Sequence, residues 1–215
     1  MPQLKDFQPP LVAILRGLEP PRAADVGRLL FDAGFRILEV PLNRPGALEC
    51  ITRLGDVAPP DALIGGGTML SVADVDAVHA AGGRLLVSPN CNPAVIRHAV
   101  ARGLLTAPGI ATATEAFAAL EAGAHALKLF PAEALGIAGM KALLSVLPSG
   151  TPIWPVGGVT PQSIAPWVRA GATGFGIGSQ LFQPGMSLDA VGAAAREFMA
   201  AWVDATSAGG ANKAG

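Results

Sequence analysis

Lys128 lies in a short apolar stretch and is one of only four lysines in the 215-residue chain. The stretch runs from Ala126 to Phe130, between Gly123 and Pro131, and predicts a buried strand. An ammonium group in a protein core is costly, so a lysine there either pairs with a carboxylate or loses its proton. The first alternative is a structural ion pair. The second is an amine of lowered pKa, which can attack a ketone and form a Schiff base.

Glu39 is a carboxylate in a similar setting, inside the strand predicted for residues 36–40. Side chains alternate along a strand, so Glu39 shares a face with Ile37, opposite Leu38 and Val40. If both strands turn these faces inward, Glu39 and Lys128 point the same way. One interpretation is again an inert ion pair. The other is carbonyl chemistry, in which the amine withdraws electrons and the acid transfers protons.

The strands and helices that position these two residues can be predicted from glycines, which recur every 20 to 27 residues at predicted helix ends. The glycines are Gly34, Gly55, Gly82, Gly103, Gly123, Gly150 and Gly171. The predicted strands are residues 11–15, 36–40, 62–64, 84–87, 104–107, 126–130, 152–156 and 174–177. Two helix starts are also readable, a capping box from Thr112 to Glu115 and an N-cap at Thr160 before Pro161.

Eight strand–helix units in one chain predict an α/β protein with a small single-domain (β/α)8 TIM barrel over residues 1–205. A doubly wound open sheet is the alternative. That fold normally shows a nucleotide-binding fingerprint after its first strand, and residues 15–19 do not form one. The segment 206–215 carries little to bury and is predicted to be a flexible tail.

In such a barrel, functional residues gather at the C-terminal ends of the strands. The turns Gly157–Gly158 and Gly178–Ser179 follow the last two strands, the usual phosphate position, where glycines let backbone N–H groups approach an anion. Arg16 and Thr68 follow the first and third strands and could bind a carboxylate. Arg16 could instead be a structural charge at the rim.

Composition excludes several other classes of function. With 14% charged residues and a net charge of −1, the chain has no electrostatic footprint for nucleic acid. Neither a secretion signal nor a membrane span is readable, so the expected location is cytoplasmic. The three histidines, His79, His98 and His125, lie away from strand ends and form no metal site with Cys50 and Cys91. The two cysteines suggest a reducing compartment, although they could in principle pair.

Taken together, the strand-end residues resemble those of the class I aldolases that cleave 2-keto-3-deoxy-6-phospho sugar acids. The resemblance covers roughly residues 10 to 200. The stretches that carry it are Ala13–Gly17, Glu39–Asn43, Gly66–Thr68, Ser88–Asn90, Lys128–Ala132, Val156–Val159 and Gly178–Ser179. A Lys-x-Phe-Pro-Ala run followed by Gly-Gly and Gly-Ser turns, each at a strand end, is a specific combination.

The resemblance implies roles for individual residues. Lys128 would form the Schiff base, and Glu39 would donate and accept protons. The implied substrate contacts are Arg16, Thr68, Pro89, Phe130, Val156, Gly157, Gly158, Gly178 and Ser179. It further implies a homotrimer, with no cofactor and no metal.

The same resemblance favours one of two branches, which differ at C4 of the sugar acid. The gluconate-type branch typically has an arginine four residues after the glutamate and a threonine before the glycine pair. Here those positions are Asn43 and Val156, which resemble the galactonate-type branch. The implied reaction is cleavage of 2-dehydro-3-deoxy-6-phosphogalactonate to pyruvate and D-glyceraldehyde 3-phosphate. Arg44 could replace the missing guanidinium, so gluconate-type or dual specificity is the alternative.

Two other functions fit the same barrel. A phosphosugar isomerase or epimerase would need acid–base residues without a covalent amine, and inactivation by borohydride separates it from an aldolase. A non-catalytic phosphosugar-binding protein would leave Lys128 and Glu39 as an inert pair. It would bind keto-deoxy acids without turnover.

Overall fold

Parallel strands alternate with helices along the whole computed structural model, which describes residues 3–210. A 3-10 turn, Leu4–Asp6, precedes the first strand. The elements are β1 (Leu11–Ile14), α1 (Pro20–Asp32), β2 (Ile37–Pro41), α2 (Ala47–Val57), β3 (Leu63–Gly67), α3 (Val72–Ala80), β4 (Leu85–Val87), α4 (Pro93–Ala101), β5 (Leu105–Ala107), β6 (Gly109–Ile110), α5 (Ala113–Glu121), β7 (Leu127–Leu129), α6 (Ala132–Leu144), β8 (Ile153–Pro155), α7 (Pro161–Arg169), β9 (Phe175–Ile177) and α8 (Leu188–Gly210). All eight predicted strands are present.

The strands form two parallel sheets. One has the order β5-β4-β3-β2-β1-β9, and the other has the order β6-β7-β8. A single parallel bridge from Val156 to Gly176 links the end of β8 to β9. The additional strand β6 follows β5 directly after Pro108, whose missing N–H interrupts the ladder. The protein is therefore an α/β fold in which neighbouring strands within each sheet are consecutive in the chain, except that β9 lies beside β1.

Two clusters of buried side chains lie on opposite faces of the strands. The outer cluster packs the strands against the helices and includes Leu38, Val40, Leu127 and Leu129. The inner cluster consists of Leu4, Phe7, Val12, Ile37, Leu63, Leu85, Val87, Leu105, Ala107, Ala126 and Trp154. Because side chains alternate, the position two residues after a member of the inner cluster faces the same side. Glu39 is two residues after Ile37, and Lys128 is two residues after Ala126. Both side chains therefore lie on the same face as the inner cluster and above it.

Five of the seven predicted glycines, Gly34, Gly82, Gly103, Gly123 and Gly171, directly follow the C-cap residue of a helix, and each has a positive φ, between +77° and +109°. The prediction for Gly150 is wrong, because α6 ends at Leu144 and Gly150 lies in the turn after Pro148. The prediction for Gly55 is wrong, because this glycine lies inside α2. That helix ends at Val57, and Ala58 is extended, as expected for a residue before a proline. The two prolines that follow, rather than Gly55, end the helix.

The C-terminal helix is longer than the sequence suggested. α8 continues through residues 206–210, which form the first half of the segment predicted to be a flexible tail. Thr206 donates a hydrogen bond to the Trp202 carbonyl at 2.9 Å, as a residue in a continuing helix can. Residues 211–215 of the predicted tail lie outside the described residues. No helix in the described chain is long and apolar enough to cross a membrane.

Candidate active site

Lys128 is in the middle of β7, where its backbone pairs with Gly109 on one side and Trp154 on the other. The side chain is only 6% exposed. Its Nζ atom lies 4.8 Å from the centre of the Phe130 ring, which can accept a cation–π contact. Burial lowers the pKa of Lys128, Glu39 opposes that shift, and the positive charge of Arg16 adds to it. A lowered pKa increases the neutral, nucleophilic fraction of the amine.

Glu39 is on β2, paired with Ile14 of β1 and Gly65 of β3, and is only 1% exposed. Its Oε2 is the one fully buried side-chain nitrogen or oxygen without a hydrogen-bond partner in the described chain. Burial raises the pKa of Glu39 from 4.5 to about 7, while Lys128 and Arg16 oppose the shift. A carboxyl with a pKa near neutrality can both accept and donate a proton at working pH.

Lys128 and Glu39 line one cavity of about 230 Å³, part of it open to solvent, here called the inner cavity. Its other lining residues are Val12, Ile14, Val87, Ala107, Trp154, Val156 and Gly176. In the part of the chain that the structure describes, no ion pair within 4 Å joins the ammonium to the carboxylate. The two charges influence each other without contact. This geometry does not match the structural ion pair that the sequence left open.

Gly67 makes room for the Glu39 carboxylate. A Cβ atom added at Gly67 would lie 1.5 Å from Oε2 of Glu39, far inside contact distance. Gly67 is the last residue of β3 and pairs with Pro41 of β2, so the backbone cannot easily move away. Only glycine at position 67 leaves the carboxylate where it is.

Gly67→Ala is therefore expected to displace Glu39 and to reduce turnover of the reaction that the sequence resemblance implies by about 100-fold, since a shift near 1 Å in a catalytic group can cost that much. Steady-state kinetics would measure the effect. Gly55→Ala is the matched control, because a Cβ there meets nothing within 4 Å and α2 gains a better helix former. Wild-type turnover in Gly67→Ala would contradict the placement of Glu39.

A larger pocket, here called the mouth pocket, opens above the inner cavity and encloses about 940 Å³, part of it open to solvent. It shares Ile14, Val156 and Gly176 with the inner cavity, so the two are adjacent. Seven predicted substrate contacts line it: Arg16, Phe130, Val156, Gly157, Gly158, Gly178 and Ser179. The structure thus brings together most of the predicted site.

The Gly157–Gly158 turn has the backbone geometry expected of an anion-binding loop. Both glycines are left-handed, with φ of +108° and +64°. They lie between β8 and α7, and α7 starts after the N-cap Thr160 with Pro161 in its first turn, as predicted. A left-handed glycine turn just ahead of a helix N-terminus is a backbone arrangement that favours binding of a phosphate.

The other predicted contacts lie around these cavities. Arg16 is exposed at the pocket edge, and its Nη1 donates a hydrogen bond to Oδ1 of Asn43 at 2.9 Å. Thr68 is half-buried directly after Gly67 and has the left-handed φ of +54°, which is rare for threonine. Pro89 is half-buried against Gly109. Thr68 and Pro89 line neither cavity.

Sequence reasoning missed several residues of the two cavities. Gln180, Gln183 and Pro184 of the loop between β9 and α8 line the mouth pocket, and Gln183 donates a hydrogen bond from Nε2 to the Ser179 carbonyl at 2.9 Å. An irregular loop gives no periodic signal, so nothing in the sequence pointed to them. Trp154 of the inner cavity could have been found, because it lies two residues before Val156 on the same strand face.

The two cysteines and three histidines line neither of the two cavities. Cys50 and Cys91 are both free thiols. His98 pairs with Asp76 at 2.9 Å, and Nδ1 of His125 lies 3.0 Å from the Thr106 hydroxyl. No three histidine, cysteine or acidic side chains within the described residues are grouped so that they could hold a metal ion.

Comparisons with known proteins show the family of the chain. The family model for KDPG and KHG aldolases matches residues 7–193. The chain is 48% identical over 197 residues to 2-dehydro-3-deoxy-6-phosphogalactonate aldolase of Escherichia coli (strain K12), covering 91% of this chain and 96% of the relative. It is 47% identical to a probable 2-dehydro-3-deoxy-6-phosphogalactonate aldolase of Rhizobium meliloti (strain 1021), covering 86% and 87%.

A solved structure described as native KDPGal superposes with a TM-score of 0.91 at 46% identity, covering 93% of this chain and 97% of that one. The chain therefore belongs to the KDPG and KHG aldolase family.

Proposed function

We propose that the protein is a class I aldolase that cleaves 2-dehydro-3-deoxy-6-phosphogalactonate to pyruvate and D-glyceraldehyde 3-phosphate. The observation that carries the proposal is the inner cavity, where a buried amine of lowered pKa and a buried carboxyl with a pKa of about 7 face each other without an ion pair. The names of the two relatives at 47–48% identity support the substrate.

The substrate spans both cavities in this proposal. Its phosphate binds at the Gly157–Gly158 and Gly178–Ser179 turns of the mouth pocket, and its carboxylate binds near Arg16. The ketone then reaches Lys128 at the floor of the site. Phe130, Thr68 and Pro89 complete the predicted contacts.

Cleavage begins when the neutral Lys128 amine attacks the C2 ketone. The carbinolamine loses water to give an iminium, which withdraws electrons from C3. Glu39, through a water molecule, removes the proton of the C4 hydroxyl. The C3–C4 bond breaks, its electrons form the enamine, and glyceraldehyde 3-phosphate leaves. The proton held by Glu39 returns to C3 of the enamine, and hydrolysis of the imine releases pyruvate and the free amine.

Asn43 and Val156 support galactonate-type specificity, since the gluconate-type branch typically has arginine and threonine at these two positions. Val156 lines both cavities, and Asn43 contacts Arg16. A valine beside the substrate offers no hydrogen bond to a hydroxyl, so the configuration at C4 would be read by shape there.

We further propose that the two sheets close into one eight-stranded barrel, with β5 and β6 as two parts of one strand around Pro108. The bridge from Val156 to Gly176 and a cavity lined from both sheets support this closure. A homotrimer in the cytoplasm, as a single domain per chain, is proposed from the family resemblance.

The test is pyruvate release from the galactonate-type and gluconate-type phosphorylated acids side by side, each with its unphosphorylated counterpart. We expect the galactonate-type phosphorylated acid to be cleaved with the highest kcat/KM. A higher kcat/KM for the gluconate-type acid would assign the protein to the gluconate-type branch. Substrate rearrangement without pyruvate would indicate an isomerase, and binding without turnover would overturn the enzymatic proposal.

A further inference from the structure

Arg16 is held at the edge of the mouth pocket by one side chain. Its Nη1 donates a hydrogen bond to Oδ1 of Asn43 at 2.9 Å. Asn43 lies in the loop after β2, two residues beyond Pro41, and both side chains are exposed. An arginine carries five N–H donors in a planar fork, so this bond leaves the others available for a carboxylate.

Arg16 also lies between two depressions in the protein surface. It lines the mouth pocket on one side and, on the other, an outer groove that Gly17, Leu18, Glu19, Arg44, Pro45 and Pro184 line. Glu19 is exposed, and its side chain makes no capping bond to α1 although it occupies the N-cap position. An arginine without a partner has many rotamers, and a nearby carboxylate would draw the guanidinium outward into this groove.

We propose that Asn43 is a positioning residue. It keeps the Arg16 guanidinium turned away from Glu19 and toward the mouth pocket, and in that pocket the guanidinium binds the substrate carboxylate. The inference rests on the proposed function. It also gives the asparagine a role of its own at the position where the gluconate-type branch typically has an arginine.

The benefit to binding is preorganisation. A guanidinium that already faces the pocket loses little rotamer freedom when the carboxylate arrives, whereas a mobile one must be ordered at that moment. The positive charge of Arg16 already influences Lys128 and Glu39 below it, so its direction matters for the whole inner cavity. An amide suits this task because it accepts the bond without neutralising the charge.

The test compares two ketones in borohydride trapping, pyruvate and acetone, over a range of concentrations. Acetone has no carboxylate, so its labelling reports the amine alone. In Asn43→Ala we expect the half-saturating pyruvate concentration to rise about 3- to 10-fold, the net value of one ordinary, solvent-exposed hydrogen bond, with acetone labelling unchanged. A purely structural defect would affect both ketones equally.

Glu19→Gln supplies the second arm. Alone it should behave as wild type, and in the Asn43→Ala background it should restore at least half of the lost pyruvate affinity by removing the competing carboxylate. Asn43→Asp keeps an acceptor but reduces the net positive charge, so it should weaken pyruvate labelling as well. Melting curves of all variants check that each is folded.

Wild-type pyruvate labelling in Asn43→Ala, equal losses for both ketones, or no recovery in the double variant would each overturn this inference. None of these results bears on the aldolase proposal. A wild-type protein that neither traps pyruvate nor releases it would instead overturn the proposed function itself.

Discussion

Lys128→Ala is expected to abolish both aldol cleavage and the borohydride-dependent labelling of the protein by pyruvate. Without the amine there is no iminium and no electron sink, so the whole covalent route is lost. A fall in turnover on the order of 10⁴-fold or more is expected for the loss of such a nucleophile. Mass spectrometry of the intact protein after trapping and a pyruvate-release assay measure the two effects.

The matched control is Lys141→Ala, because Lys141 is an exposed lysine on α6, away from both cavities. It should label and turn over as wild type.

Removing Lys128 also removes the neighbouring positive charge that lowers the pKa of Glu39, so the carboxyl can take up a proton and remain buried. The variant should therefore fold, which a melting curve checks. Labelling of Lys128→Ala at the wild-type level would make the Schiff-base assignment wrong.

The positions of the two reactive groups could be predicted because strands impose a strict alternation. Ile37 and Ala126 face the inner cluster, and that fixes the side of Glu39 and Lys128. The glycine spacing helped to predict the eight strands for a similar reason, since most of the helices between them end at a left-handed glycine. It failed at Gly55, where two prolines further along end the helix, and at Gly150, which lies in a turn beyond the end of α6.

The rest of the site depends on tertiary structure that no local pattern encodes. Gln180 and Gln183 reach the mouth pocket only because the β9–α8 loop folds back over it. The contact between Arg16 and Asn43 joins residues 27 positions apart in two different loops. Whether Glu39 and Lys128 touch could not be read from their faces alone. No direct ion pair joins them within the described residues, and this supports the catalytic interpretation over the structural one.

Glu39→Gln is expected to separate the two halves of the chemistry. The variant keeps the shape of the side chain and the Lys128 amine, so pyruvate should still be trapped. Proton transfer at the C4 hydroxyl and at C3 should be lost, and kcat should fall by about 10²- to 10⁴-fold, the usual contribution of a general acid–base group. Near-normal turnover would remove Glu39 from the mechanism.

The pH dependence of the wild type gives an independent measure of the same group. In the proposed mechanism the carboxylate form of Glu39 is the base, and burial raises the pKa of Glu39 to about 7. Activity should therefore rise with pH through about 7, because the base is protonated at lower pH. The residual activity of Glu39→Gln should lack this ionisation. Glu115→Gln is a suitable comparison, since Glu115 caps α5 and lines neither cavity.

Stability distinguishes a catalytic loss in Glu39→Gln from a structural one. A carboxyl whose pKa is about 7 in the folded protein and 4.5 in the reference state destabilises the fold as pH rises between these values, since the unfolded chain releases its proton first. That cost is complete above pH 7 and amounts to roughly 3 kcal/mol at most.

The uncharged amide of Glu39→Gln carries no such cost. Urea unfolding at pH 5 and pH 8 should therefore show wild type losing stability relative to Glu39→Gln as pH rises, while the variant is the slower enzyme. A variant less stable than wild type at pH 8 would assign the lost turnover to damage of the fold.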